Sequence, residues 1–112
     1  MLIKEASHVT PVVVQEGIGI RWLLTEKEGA PNFAMRVIEL QPGAVFTPHQ
    51  HPYEHEIYVL EGTGVATHAD GDVGIMRPGV FLLVPPDEVH GYRNTGATPL
   101  KFICVIPLQN QG

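Results

Sequence analysis

Short apolar runs, each cut off by turn residues, pattern this chain from end to end. Roughly, they are VVVQ (12–15), IGIRWLL (18–24), NFAMRVIEL (32–40), AVFTPHQH (44–51) and HEIYVLEG (55–62), followed by VATHA (65–69), VGIM (73–76), VFLLV (80–84), VHGYRN (89–94) and LKFICVIP (100–107). EGAP, QPG, ADGD, RPG, PPDE and TGATP separate them. No long stretch carries a 3.6-residue period, and the runs are rich in β-branched and aromatic residues. About ten short strands at this spacing predict an all-β, antiparallel sandwich or barrel with little or no helix. Asp70-Gly71 signals a hairpin. Pro85-Pro86 marks a loop, because neither residue can donate to a sheet ladder. Tyr58 and Leu60 oppose Ile57 and Val59 on one strand, so that strand needs cover on both faces. No boundary, repeat or low-complexity segment interrupts the pattern, and residues 1–112 read as a single domain. The tail LQNQG (108–112) is polar and is expected to fray.

Composition narrows the functional classes. A chain of 112 residues, 44% hydrophobic, can bury a core and is not disordered. Net charge is −5 and no Lys/Arg cluster occurs, which argues against nucleic acid and against anionic membranes as partners. Cys104 is the single cysteine and has no internal disulfide partner, consistent with a reducing compartment. MLIKEASHVT lacks an apolar signal core, and VFLLV is far too short to span a bilayer. A soluble, cytoplasmic protein is the expectation.

Candidate chemistry concentrates in HQHPYEHEIYVLEG (49–62). His49 and His51 are two apart, so on a strand they share a face at about 7 Å, close enough for one ion. By parity His55 joins that face, while Glu54 and Glu56 turn away. Pro52 can bend or bulge the chain, so parity favours His55 over Glu56 without deciding between them. One histidine on an apolar face is ordinarily a core residue; three so close together, after a glycine-containing turn, point to metal. His90 follows PPDEV, and nothing local ties it to the other three.

Two segments resemble the paired motifs of the cupin superfamily. The first motif, G-x5-H-x-H-x3-4-E-x6-G, is matched by Gly43, His49, His51 and the stretch ending at Gly62. The second, G-x5-P-x-G-x2-H-x3-N, is matched by Gly79, Pro85, His90 and Asn94, with Asp87 where the motif has glycine. Aspartate tolerates turn conformations, so the loop is expected to persist. The motifs occupy 43–62 and 79–94. The resemblance implies a conical β-barrel (double-stranded β-helix, jelly-roll-like) with an ion in its mouth. The motif's carboxylate position falls on His55 when three residues follow His51, and on Glu56 when four do. The six-residue spacing to Gly62 fits His55. The chain is also similar to a subgroup of small single-domain bacterial cupins with HPWEHEIFVL-like segments, whose ion is held by four histidines. That likeness extends to APNFAMRVIEL (30–40) and KFICVIP (101–107). Members of the subgroup bind manganese, and some show oxygenase-type activity. The resemblance thus implies metal roles for His49, His51, His55 and His90, with manganese the expected ion; imidazole also accommodates iron, zinc, nickel and copper.

Four neutral imidazoles leave a divalent ion its full charge, where one glutamate would lower it. Four protein ligands on a six-coordinate ion leave two open positions, room for a bidentate substrate or for substrate and dioxygen. The expected function is a metal-dependent oxidoreductase of dioxygenase type acting on a small organic molecule. The alternatives are a non-redox isomerase or lyase using the ion as a Lewis acid, and a non-enzymatic binding or sensing module. A closed, tetrahedral zinc site is the structural alternative. Glu54 and Glu56 are expected to accept imidazole N–H groups or to face solvent, with a general-base role as the competing reading. Arg36 shares a side with Ile38 and Leu40, and so either reaches the pocket or lies on the surface. Ile57, Tyr92, Phe102 and Cys104 are the remaining pocket candidates; Cys104 reads as a small buried apolar residue. His8 and His68 read as surface. The doubly apolar strands, and the habit of small cupins, predict a homodimer.

Overall fold

The strand-forming runs keep their order and nearly their boundaries in the computed structural model, which describes residues 1–109. The strands are β1 (Val12–Gln15), β2 (Ile18–Leu24), β3 (Phe33–Leu40), β4 (Val45–His49), β5 (His55–Glu61), β6 (Gly64–His68), β7 (Gly71–Met76), β8 (Phe81–Val84), β9 (His90–Asn94) and β10 (Leu100–Pro107). Helical structure among the described residues is confined to two short 3-10 turns, Ala6–His8 and Glu26–Glu28. The expected all-β architecture is therefore found. One sheet has six strands in the order β1-β2-β3-β10-β5-β8, and the other has four, β4-β9-β6-β7. Every pairing is antiparallel.

Alternation decides which side chains fill the space between the sheets. On β10, Leu100, Phe102, Cys104 and Ile106 are buried, while Lys101, Ile103 and Val105 are half-buried on the other face. β10 pairs with β3 along its whole length, from Leu100 opposite Leu40 to Pro107 opposite Phe33. Ile18, Ile38, Ile57 and Val59 from the larger sheet meet Ala66, Met76 and Tyr92 from the smaller one. Each large apolar side chain buried this way stabilises the fold by about 1.5–3 kcal/mol.

The motif residues that carry no chemistry hold the backbone. Gly62 adopts φ 83, and a Cβ there would collide with the backbone of Pro99 and Leu100, so no other residue ends β5 without a shift. Asp87 sits at φ 66, the left-handed region its glycine counterpart would favour, and its N–H donates to the His51 carbonyl at 2.7 Å. Asn94 is buried with its amide fully used. Its Nδ2 donates to the carbonyls of Leu40 and Thr98, both at 2.9 Å, and its Oδ1 accepts from the Gly96 N–H at 2.8 Å.

Three expectations are corrected in detail. β4 ends at His49, so His49 and His51 do not share one strand. The β6–β7 hairpin forms with Ala69 and Asp70 at its tip and Gly71 already paired with His68, one residue earlier than the Asp-Gly pair suggested. Leu108 does not fray, since its N–H donates to the Asn32 carbonyl at 2.9 Å; residues 110–112 of the tail lie outside the described residues. No helix among the described residues is long and apolar enough to cross a membrane.

Candidate metal centre

Both sheets contribute to one cavity of about 330 Å³, lined by Arg36 and Ile38 of β3, His55 of β5, Phe46 and His49 of β4, His90 and Tyr92 of β9, and His51. His51 comes from the segment joining β4 to β5, where the chain crosses between sheets. A β-bulge sets the geometry. Phe46 pairs with Tyr92, yet three residues later His49 pairs with His90 only two positions away. The extra residue at Thr47-Pro48 turns both Phe46 and His49 inward, which strict alternation forbids. His49 and His90 thus face each other, with ring centroids 4.3 Å apart. His51 lies 4.9 Å from His49 and 5.1 Å from His55, and His55 lies 4.8 Å from His90.

Backbone carbonyls aim two of the rings. His49 donates from Nδ1 to the Thr47 carbonyl at 2.8 Å, and His90 donates from Nδ1 to the Glu88 carbonyl at 2.9 Å. A carbonyl only accepts, so each bond fixes the proton on Nδ1 and leaves Nε2 with a free lone pair. The His90 Nε2 and the His55 Nδ1 are buried with no hydrogen-bond partner. Each such orphan costs about 1–3 kcal/mol, which a bound ion would offset. The ligand nitrogens of His49, His51 and His90 lie within 4.8 Å of one another, so these three histidines can hold a metal ion. His55 stands outside that trio but against it, 3% exposed at the start of β5.

Electrostatics keep the rings ready for an ion. Burial first, then the charges of His90 and Arg36, push the His55 imidazole down to about 3. Burial and the neighbouring His49 lower His51; burial lowers His90 against the opposing pull of the Glu88 carbonyl. Neutral imidazole is the form that ligates, so no proton need be displaced from these three at neutral pH.

The remaining candidates separate cleanly. Arg36 is buried and lines the cavity; its Nη2 donates to the Cys104 Sγ at 3.0 Å, and its guanidinium carbon lies 5.1 Å from the Trp22 ring centroid. Cys104 is fully buried, and burial pushes its thiol up, so it acts here as a neutral acceptor behind the cavity wall. Tyr92 lines the cavity, and burial pushes its phenol up as well. Ile57 and Phe102, expected in the pocket, lie in the core instead; parity turns both inward, Ile57 on the same face as His55, but neither lines the cavity. Glu54 and Glu56 are exposed, with Glu56 on the outer face of β5, and neither makes a hydrogen bond to a ring among the described residues. Tyr58, His8 and His68 are also exposed.

Sequence reasoning missed Phe46, which lies 5.0 Å from His49 and packs edge-on to Tyr92. It also missed an outer chamber of about 730 Å³ whose walls include Trp22, Tyr53, Ile106 and Leu108, and which shares Arg36 and His51 with the histidine cavity. Tyr53 stacks on His51 at 5.0 Å. Tyr53 stands inside the histidine stretch itself, two residues from His51, and that proximity was the available signal.

Two antiparallel sheets enclosing a histidine cluster define a β-sandwich protein with a potential metal site. Residues 36–106 match the model of the cupin domain family, and the chain belongs to that family. It is 39% identical over 88 residues to an oxalate-binding protein of Thermotoga maritima, covering 76% of this chain and 72% of that one. It is 34% identical over 91 residues to the polyketide synthase CurC of Streptomyces cyaneus, covering 80% of this chain but 58% of CurC, less than two thirds of that relative's length. The structure of the polyketide cyclase RemF from Streptomyces resistomycificus superimposes with a TM-score of 0.90 at 27% identity, covering 100% of this chain and 82% of RemF.

Proposed function

We propose that this protein is a metal-dependent enzyme whose divalent ion is held by His49, His51, His55 and His90, with manganese as the working ion. The observation that carries this reading is the convergence of four imidazoles in a cavity whose lining contains no carboxylate. When bound there, an ion keeps its full charge and supplies Lewis acidity, together with redox capacity if the metal is manganese or iron. The chain's own part is to aim the ligands through the Thr47 and Glu88 carbonyls, to keep the inner cavity narrow, and to present Arg36 and Tyr92 beside the substrate.

The reaction we assign is a dioxygenase-type oxidation of a small organic molecule, for which a neutral donor set with two positions left open is suited. A second reading, a non-redox isomerase or cyclase, is favoured by the likeness to the polyketide cyclase RemF. Elemental analysis of protein purified without added metal tests the site. Oxygen uptake with candidate substrates then separates the readings: the oxidative one expects consumption of O₂ with substrate, and turnover that persists under argon or with zinc replaces it by the second. The working unit we propose is a homodimer, supported by the apolar outer face of β5, β8 and β10.

A further inference from the structure

Arg36 is the one lysine or arginine buried among the described residues, at 9% exposure, and it lines both the histidine cavity and the outer chamber. No carboxylate pairs with it among the described residues. The ion pairs that two other cations make run outside, from Arg93 to Asp72 and from Lys101 to Glu39 and Glu61. Its Nη2 is satisfied by a neutral sulfur, its face by Trp22, and its Nε is buried with no partner. Three charged side chains besides Arg36 stand on the chamber rim: Glu26 and Lys27 are exposed, and Glu28 already accepts from the backbone N–H and hydroxyl of Thr25. A buried guanidinium without an anion is costly. That this happens in a protein of net charge −5 makes the missing counter-charge the more telling.

We propose that the ligand of this site is a small carboxylate, its anionic group seated on Arg36 and its apolar body lying in the chamber walled by Trp22, Tyr53, Ile106 and Leu108. A planar carboxylate matches the guanidinium fork. One buried guanidinium suits a monoanion; phosphate sites ordinarily gather several donors or a helix N-terminus. The chamber is more apolar than its charged rim suggests, so a bare dicarboxylate would leave its walls unused. Any chemistry at the histidines rests on the proposed function, but the anion seat belongs to Arg36 alone.

The test titrates benzoate, cyclohexanecarboxylate and hexanoate, each beside its uncharged amide, into as-purified and metal-stripped protein at about pH 8, where imidazoles are neutral. Binding heat is one readout. The emission of Trp22, the chain's single tryptophan, is the other. At least one acid is expected to bind about 10-fold more tightly than its amide in metal-stripped protein, and to move the Trp22 emission. In Arg36→Gln that preference is expected to fall below about 3-fold with metal content unchanged. Arg36→Lys keeps the charge without the fork and should retain an intermediate preference, which also guards against a misfolded Gln variant. Equal binding of acids and amides in metal-stripped wild type, or an acid preference that survives Arg36→Gln, overturns the inference. A preference confined to metal-loaded protein also overturns it and leaves the metal reading standing. A metal-free preparation with an Arg36-dependent preference overturns the proposed function instead.

Discussion

His55 decides the charge of the proposed centre. It faces inward at 3% exposure while Glu56, the competing ligand, faces out on the next position of β5. His55→Ala is therefore expected to lower bound metal at least about 10-fold, and Glu56→Ala to leave it within about 2-fold, read by elemental analysis. Loss of metal with Glu56→Ala alone would reverse the ligand choice. The same burial gives a pH dependence. In the metal-free protein the His55 imidazole is held near 3, far below its ordinary 6.5. The unfolded chain takes up that proton first, so the stability contributed is complete above about pH 6.5 and is lost as pH falls towards 3. His55→Phe should flatten urea-derived stability between about pH 6 and pH 4 by roughly 1.4 kcal/mol per pH unit; an unchanged slope would refute it. At this scale the sequence was informative because spacing and parity name residues. Parity grouped Arg36 with Ile38 and Leu40 but left open whether it reaches the pocket or the surface; the structure buries it. Nor could parity show that backbone carbonyls of Thr47 and Glu88, rather than Glu54 and Glu56, orient the rings, since a carbonyl leaves no trace in residue type.

Elements carry those rings into register, and here legibility was uneven. β2 and β10 match their apolar runs, and their starts are marked by Gly17 and Pro99, which stand immediately before them at the turns. β4 does not. Its bulge at Thr47-Pro48 changes the count of residues facing the cavity, and no local pattern announces a bulge before its partner strand is known. The loop between β8 and β9 was readable through one substitution. Asp87 holds the left-handed conformation and ties itself to the His51 carbonyl, so the second motif positions the first. Asp87→Gly should preserve stability and metal content. Asp87→Val should cost about 1–2 kcal/mol, because a β-branched side chain resists that backbone region, and should loosen metal binding through His51. Equal stability of the two variants in urea denaturation would show that the loop does not depend on this conformation.

In the whole molecule, the described residues leave a broad apolar surface uncovered on the outer side of the six-stranded sheet. Tyr58 pairs with Phe81 across β5 and β8 and with Ile103 across β5 and β10, so the three form one row. Leu83 and Val105 flank Glu56 in the next row. Phe81 is 78% exposed, Leu83 64% and Tyr58 50%. Side chains of this size rarely stay contiguous and wet on a monomer. A second copy packed sheet to sheet would cover them with a patch repeated by two-fold symmetry, and about 800 Å² per partner is the usual requirement for a stable pair. The sequence foreshadowed this in HEIYVLEG, where Tyr58 and Leu60 point outward beside Glu56, but only strand order shows that β8 and β10 extend the patch. The chain is therefore expected to sediment near twice its 12.3 kDa. Phe81→Lys combined with Leu83→Glu should yield a folded monomer, because both positions point away from the core and from the histidines. A wild-type protein that sediments as a monomer at micromolar concentration would remove the dimer from the proposed working unit while leaving the proposed metal centre, whose histidines lie between the sheets of a single chain, untouched.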